Sequence, residues 1–340
     1  TGANNTAVGM NALKTNTTGQ RNVALGKSAL YTSTTASYNT AIGFETMYYN
    51  TTGAENTSVG YQALLQNTTG ANNTAVGRLA LGANTTAADN TAVGVEALAT
   101  NTTGHSCVAV GKNALKDTTA GPNTAVGFGA MKDNSSGIQN TALGYEALGN
   151  NTTADSNTAI GYAALHACTT GANNQAFGTD AGRTGSPGGN QTTGNNRVFV
   201  GDENIASAYI QVDWTIASDQ RDKTDFTDLD VGLDFVNDLN PVTYKWDKRS
   251  KYGDKHADGY DLDTITHDGT HKEDWLDIGF KAQEVEVLEK AAGYKIADKT
   301  NLTTTLTDDG KQYGIQYNKF IPILVKAIQE LSAEIEILKA

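Results

Sequence analysis

Eleven glycines recur along the first half of the chain, at Gly9, Gly26, Gly43, Gly60, Gly77, Gly94, Gly111, Gly127, Gly144, Gly161 and Gly178. The step is 17 residues each time, except one of 16 between Gly111 and Gly127. A fixed period of this kind marks a solenoid, in which each repeat touches only its neighbours. Helical solenoids need about 33 to 47 residues per unit, because two helices must fit. These units are also rich in Thr, Asn and Gly, which disfavour helix interiors. A β-solenoid remains.

The residue before each glycine is β-branched, aliphatic or aromatic, from Val8, Leu25 and Ile42 onward to Phe177. The residue before that is Ala in every unit but one, where Ser58 replaces it. In a strand these two positions face opposite sides. Five residues beyond Val8 comes Leu13, matched by Leu30, Met47, Leu64 and on to Leu165. Each unit thus holds two short apolar segments separated by polar corners, which predicts one coil of a parallel β-roll or β-helix. At about 4.8 Å per coil, the eleven coils make a rod about 50 Å long. A coil offers few apolar side chains, two of them alanines. Burial at ~25 cal/mol per Å² is then nearly matched by ~1–2 kcal/mol of backbone entropy per residue. The expected remedy is association of several chains along the rod, burying the alanine face.

The chain opens in mid-repeat, since Thr1-Gly2-Ala3-Asn4-Asn5 matches Thr170-Gly171-Ala172-Asn173-Asn174, which suggests the distal piece of something longer. No targeting sequence is expected in this stretch, and no apolar run in it is long enough to span a membrane. The net charge of −12 argues against nucleic acid as a partner. Sequon-like triplets such as Asn16-Thr17-Thr18, Asn67-Thr68-Thr69 and Asn101-Thr102-Thr103 are expected to serve turns and Asn/Thr ladders rather than glycosylation. Cys107 and Cys168 fall three coils apart, about 14 Å, beyond the reach of a disulfide.

Charge density rises near residue 217: residues 1–217 carry 9 Lys+Arg and 12 Asp+Glu, and residues 218–340 carry 16 and 25. The expected organisation is a solenoid over 1–181, a Gly-rich break and terminal strand (Tyr209–Ile216) within 182–217, and a second domain over 218–340. Three features organise that domain. It opens with Ser218-Asp219-Gln220-Arg221-Asp222-Lys223. An α/β stretch follows, with Gly232-Leu233-Asp234-Phe235 through Trp246 and then Ile278-Gly279-Phe280-Lys281-Ala282-Gln283-Glu284-Val285. The tail places Ile321, Leu324, Ile328, Leu331, Ile335 and Leu338 at alternating spacings of 3 and 4, a coiled-coil seam over 322–339. Pro322 is tolerated in the first turn of that helix. Packing rules for Ile at a and Leu at d favour two strands.

These landmarks, in this order, resemble the intramolecular chaperone domain of phage tail spikes and tail fibres, the peptidase S74 family of endosialidases. The repeats resemble the head of trimeric autotransporter adhesins of the YadA type. Both resemblances imply a homotrimer. The first implies an autoproteolytic serine peptidase acting only on itself. Ser218 is then the nucleophile and Lys223 its base, with scission between Ala217 and Ser218. Serine needs a neighbouring base, and lysine serves once burial disfavours its ammonium form. Asp219 and Arg221 are candidates to orient the site.

Other motifs carry less. Gly26-Lys27-Ser28 lacks the spacing of a phosphate loop. Asp254-Lys255-His256-Ala257-Asp258-Gly259 begins like a calcium loop but has Ile265 at its twelfth position. His267 and His271, with Asp254, Asp261, Asp263 and Asp268 nearby, are expected to belong to a hydrophilic insertion, 249–274. No metal and no cofactor is expected. The leading expectation is a structural virion protein: the distal part of a trimeric phage tail fibre for host attachment, mainly β, with an α/β chaperone at its end. Its partners would be two further copies, upstream tail or fibre proteins, and a cell-surface glycan or outer-surface protein. The alternatives are a bacterial trimeric surface adhesin with the same chaperone and a glycan-degrading spike. The repeat acids Glu45, Glu55, Glu96 and Glu146 are too scattered to favour the last.

Overall fold

The computed structural model describes residues 2–209, 211, 216–257 and 259–339. They form two compact units, Thr1–Asp202 and Glu203–Ala340. Among the described residues, the first unit is one sheet of twelve parallel strands stacked in chain order, from β1 (Thr6–Val8) to β12 (Val198–Val200). Register advances by one repeat per strand, as in Thr74 opposite Thr91, Ala75 opposite Ala92 and Val76 opposite Val93. This is the parallel β-solenoid that the glycine period predicts. The strand β12 is a rung the glycines do not mark. It follows the preceding strand by 23 residues, with the Gly-rich stretch 182–196 as an enlarged corner and Phe199 buried inside. The expected strand 209–216 falls mainly on residues 210 and 212–215, which lie outside the described residues.

Each coil turns at its marker glycine. Gly43 sits at φ +140°, and a Cβ there would lie 2.3 Å from the Gly60 carbonyl oxygen of the next coil. No side chain fits that approach. Beyond the glycine, the second apolar segment is a turn rather than a strand. Its leucine adopts a left-handed conformation, with φ +51° at Leu64, +50° at Leu81 and +52° at Leu98. The turns still pair coil to coil, as in Leu64 N–H to the Ala80 carbonyl at 2.9 Å.

One expectation is overturned. The alanine face does not wait for a second chain. From the second coil on, Ala24, Ala41, Ala75, Ala92 and their counterparts to Ala176 are fully buried in a core with Leu30, Met47, Leu64, Leu81 and Leu98 of the same chain, and Ala7 of the terminal coil is exposed. The cause is volume: leucine projecting from the turn fills the interior, leaving room opposite for only a methyl group. Ser58, the exception in the alanine row, lies 2.6 Å from Thr46 Oγ1, which replaces an alanine of the facing segment. Two polar residues thus satisfy each other inside. The outward row is the bulky one: Val8, Leu25, Ile42, Val93, Leu143, Ile160 and Phe177 are 36–55% exposed.

Two asparagine ladders complete the interior. Asn56 N–H donates to Asn39 Oδ1 at 2.9 Å, and Asn56 Nδ2 donates to the Gly70 carbonyl at 2.9 Å. The pattern repeats from Asn73 to Asn56, where N–H meets Oδ1 at 2.9 Å. In the second ladder Asn67 and Asn101 donate to the carbonyls of Gly70 and Gly104, each at 2.9 Å. Asn67 and Asn101 are fully buried, so these two sequon asparagines serve the ladder and are closed to a glycan in the folded coil. Each cysteine stands in one ladder in place of asparagine. Cys168 Sγ donates to the Gly171 carbonyl at 3.2 Å, and burial pushes its thiol up to about 11.

In the second unit, α1 (Leu233–Asp238), α2 (Ala282–Ala291) and α3 (Phe320–Lys339) surround a small core of Val231, Phe235, Val285, Phe320 and Ile323. Two antiparallel pairs flank it: β13 (Val242–Tyr244) with β14 (Asp277–Gly279), and β15 (Thr304–Leu306) with β16 (Tyr313–Ile315). The tail helix forms as predicted. Phe320, Ile323 and Ala327 are buried, while Ile321, Leu324, Ile328, Leu331, Ile335 and Leu338 stay exposed.

Candidate functional site

The segment Ser218–Lys223 is organised by local chemistry alone. Residues Gln220–Asp222 make one turn of 3-10 helix. Asp219 caps it, its Oδ1 accepting the Arg221 N–H at 2.9 Å. Asp219 is a strong cap because its carboxylate takes a donor that the turn leaves orphaned. Asp222 N–H donates to the Asp219 carbonyl and Lys223 N–H to the Gln220 carbonyl, both at 3.2 Å. The turn reverses the chain and brings the side chain of residue 223 back to residue 218. Lys223 Nζ lies 2.6 Å from Ser218 Oγ.

The two candidate supporting residues engage each other. Arg221 Nη2 donates to Asp219 Oδ2 at 2.6 Å, and Arg221 Nε to Oδ1 at 3.1 Å. The Arg221 guanidinium holds the Asp219 carboxyl below its ordinary range, and Asp219 raises Arg221 in turn. Both are solvent-exposed, and the contacts they make are with each other and with the turn itself. Ala217, Ser218 and Lys223 are exposed too. The arrangement offers a nucleophile hydrogen-bonded to a potential base, adjacent in sequence to the peptide bond it would attack.

Elsewhere the alternatives find structural employment. Lys27 Nζ sits 5.4 Å from the centre of the Phe44 ring, as part of an ordinary rung. In the insertion, Asp261 pairs with Lys311, Asp263 with Arg249, and Asp268 accepts from Thr270. His271 packs edge-on against Tyr252 at 4.7 Å. Asp258 lies outside the described residues, and among those described no three His, Cys, Asp or Glu side chains cluster as metal ligands. Glu45, Glu96 and Glu146 occupy one row, three coils apart each time. That is about 14 Å, wider than the roughly 9.5 Å that paired glycosidase carboxylates tolerate. Gln62, Arg78 and His166 respectively engage them. The exposed aromatics stack along the rod, with ring centres of Phe128, Tyr145 and Tyr162 spaced by 5.2 and 5.1 Å. Their faces are taken up by one another.

Two residues were not singled out by the sequence reading. Glu289 on α2 is buried, and its carboxylate accepts from the N–H and hydroxyl groups of Thr303 and Thr304 at 2.6–3.1 Å. Glu330 on α3 accepts the Leu233 N–H at 2.7 Å. The only hint was the run Thr303-Thr304-Thr305, whose donors need a buried acceptor.

Residues 218–294 match the family model of Peptidase_S74, described as the chaperone of endosialidase. The match begins at Ser218 and takes in the turn, α1, the β13–β14 pair and α2. No curated protein and no solved structure matches the chain. The molecule is therefore a parallel β-solenoid followed by a domain of the endosialidase-chaperone type.

Proposed function

We propose that this chain is the distal part of a trimeric phage tail fibre, whose terminal domain drives trimer folding and then cuts itself off before Ser218. The observation that carries the proposal is the Ser218–Lys223 contact of 2.6 Å, placed where the chaperone-family match begins. In the reaction, Lys223 takes the proton of Ser218 Oγ, which attacks the carbonyl carbon of Ala217. The C–N bond breaks and the proton passes to the amine of Ser218. Water then hydrolyses the Ala217 ester, leaving a carboxylate on Ala217 and a free amine on Ser218.

Exposure of the dyad supports a role for assembly. A neutral lysine at neutral pH requires desolvation, and in one chain both residues are open to solvent. Burial would have to come from neighbouring copies, which would couple cutting to completed folding. The surfaces for such contacts are the outward row from Val8 to Phe177 and the exposed seam of α3. The row crosses eleven strands of about 10 Å each over about 50 Å, so it spans several hundred Å². Monomeric proteins seldom leave an apolar patch that large uncovered. This corrected interface replaces the alanine face. Tyr61, Tyr145 and the corner threonines are the groups we assign to receptor contact, through ring edges and hydroxyls. A bacterial surface adhesin would use the same two units.

The test is the mass of the purified product under denaturing conditions. The parent is expected to give fragments of 217 and 123 residues, and Ser218→Ala the intact chain. Identical products from both would refute self-cleavage.

A further inference from the structure

The compact unit that carries the Ser218 turn does not start at Ser218. It starts at Glu203, fifteen residues earlier. The side chain of Glu203 is only 5% exposed, and its Oε1 accepts from Lys255 Nζ at 2.7 Å. Lys255 is itself largely buried. The Glu203 carbonyl accepts from Lys248 Nζ at 2.8 Å. Lys248 and Lys251 each lie 3.6 Å from Glu273 Oε1. Arg249 donates to the carbonyls of Leu262 and Lys311 at 3.0 and 2.8 Å. The hydrophilic insertion and the lysine just before it therefore do structural work, gripping Glu203 and fastening it to the rest of the unit. Between Glu203 and Ser218, residues 204–209, 211, 216 and 217 are exposed.

We propose that Glu203 is a non-covalent anchor that keeps the cleaved chaperone attached to the solenoid. A cut between Ala217 and Ser218 assigns Glu203 to the N-terminal fragment and Lys248 and Lys255 to the C-terminal one. The contact spans the scissile bond without using it. Salt screens a buried pair far less than a surface pair. Removing one partner strands the other charge in a poorly solvated place, which loosens the complex strongly. The cut itself rests on the self-cleavage reading; the contact does not.

The full chain is the test material, with cleavage first scored on denaturing gels. Expected for the parent is co-elution of both fragments on native size exclusion, at physiological and at high salt. Glu203→Gln and Lys255→Met are each expected to shorten retention of the chaperone fragment by about tenfold or more, as loss of a buried ionic partner implies. Their uncut Ser218→Ala counterparts should keep the parent's circular dichroism and elution, which separates anchoring from folding. Parent fragments that part on the column would overturn the anchor, as would Glu203→Gln and Lys255→Met fragments held as long as the parent's. If the parent is never cut, self-cleavage fails but the anchor is still decided. Chymotrypsin acting at Tyr209, which is 95% exposed, severs the same tether, and the same co-elution assay applies.

Discussion

Leu98 offers an unusual stability comparison, because it is fully buried yet held at φ +52°. Truncating a buried leucine to alanine costs about 2–5 kcal/mol. Leu98→Ala keeps a Cβ and so keeps the left-handed penalty. Leu98→Gly removes that penalty, worth about 1–2 kcal/mol. Against this stand about 0.8 kcal/mol for the lost methyl group and about 0.4–1 kcal/mol for the freer unfolded chain. The two variants should therefore agree to within about 1 kcal/mol. Ala92 supplies the control: equally buried, but in an ordinary extended strand. Ala92→Gly has nothing to relieve and should lose about 1–2 kcal/mol relative to its parent. Urea unfolding followed by far-ultraviolet circular dichroism, in a Ser218→Ala background, measures all four chains. If Leu98→Gly falls below Leu98→Ala by as much as Ala92→Gly falls below its parent, the left-handed turn is refuted.

Other outcomes follow from the same geometry. Lys223→Ala should abolish the cut while leaving the elution volume of the assembled chain unchanged, as scored by denaturing gel and size exclusion together. Val93→Asp combined with Ile160→Asp should leave the solenoid's circular dichroism intact but yield single chains by light scattering, since both side chains point outward. For Glu289, burial raises the carboxyl pKa but the hydrogen bonds from Thr303 and Thr304 outweigh it, so the net shift is downward. Its stabilisation is therefore complete above the ordinary value of about 4.3 and is lost as pH falls through the lower folded value. Glu289→Gln should flatten that acid limb in thermal melts and cost about 1–3 kcal/mol at neutral pH. Cys107 and Cys168, both buried with raised thiol pKa, should resist a thiol reagent until the chain is unfolded.

The period, the parallel register and the tail helix were all legible in the sequence, because each is a pattern of recurrence. What recurrence does not encode is which face is inside. Alternation says that Ala92 and Val93 point oppositely, and a row of alanines suits a close contact of either kind. The decision rests on Leu98 and its counterparts, whose left-handed turn aims them inward. Nothing in leucine's own preferences announces such a turn. Ser218 and Lys223 were singled out only through the resemblance to the chaperone family, since a serine five residues before a lysine is too common to mark a site; the turn that joins them is what the structure adds. Glu203 and Glu289 were not legible, since their partners lie 52 and 14 residues away.

The most direct measurement of the central claim is the native mass of the uncut Ser218→Ala chain by sedimentation equilibrium. On the trimeric reading proposed above, in which the exposed apolar row and helical seam are covered by neighbouring copies, the chain should sediment as three chains of 35.7 kDa. A stable, folded single chain at the same concentration would contradict it.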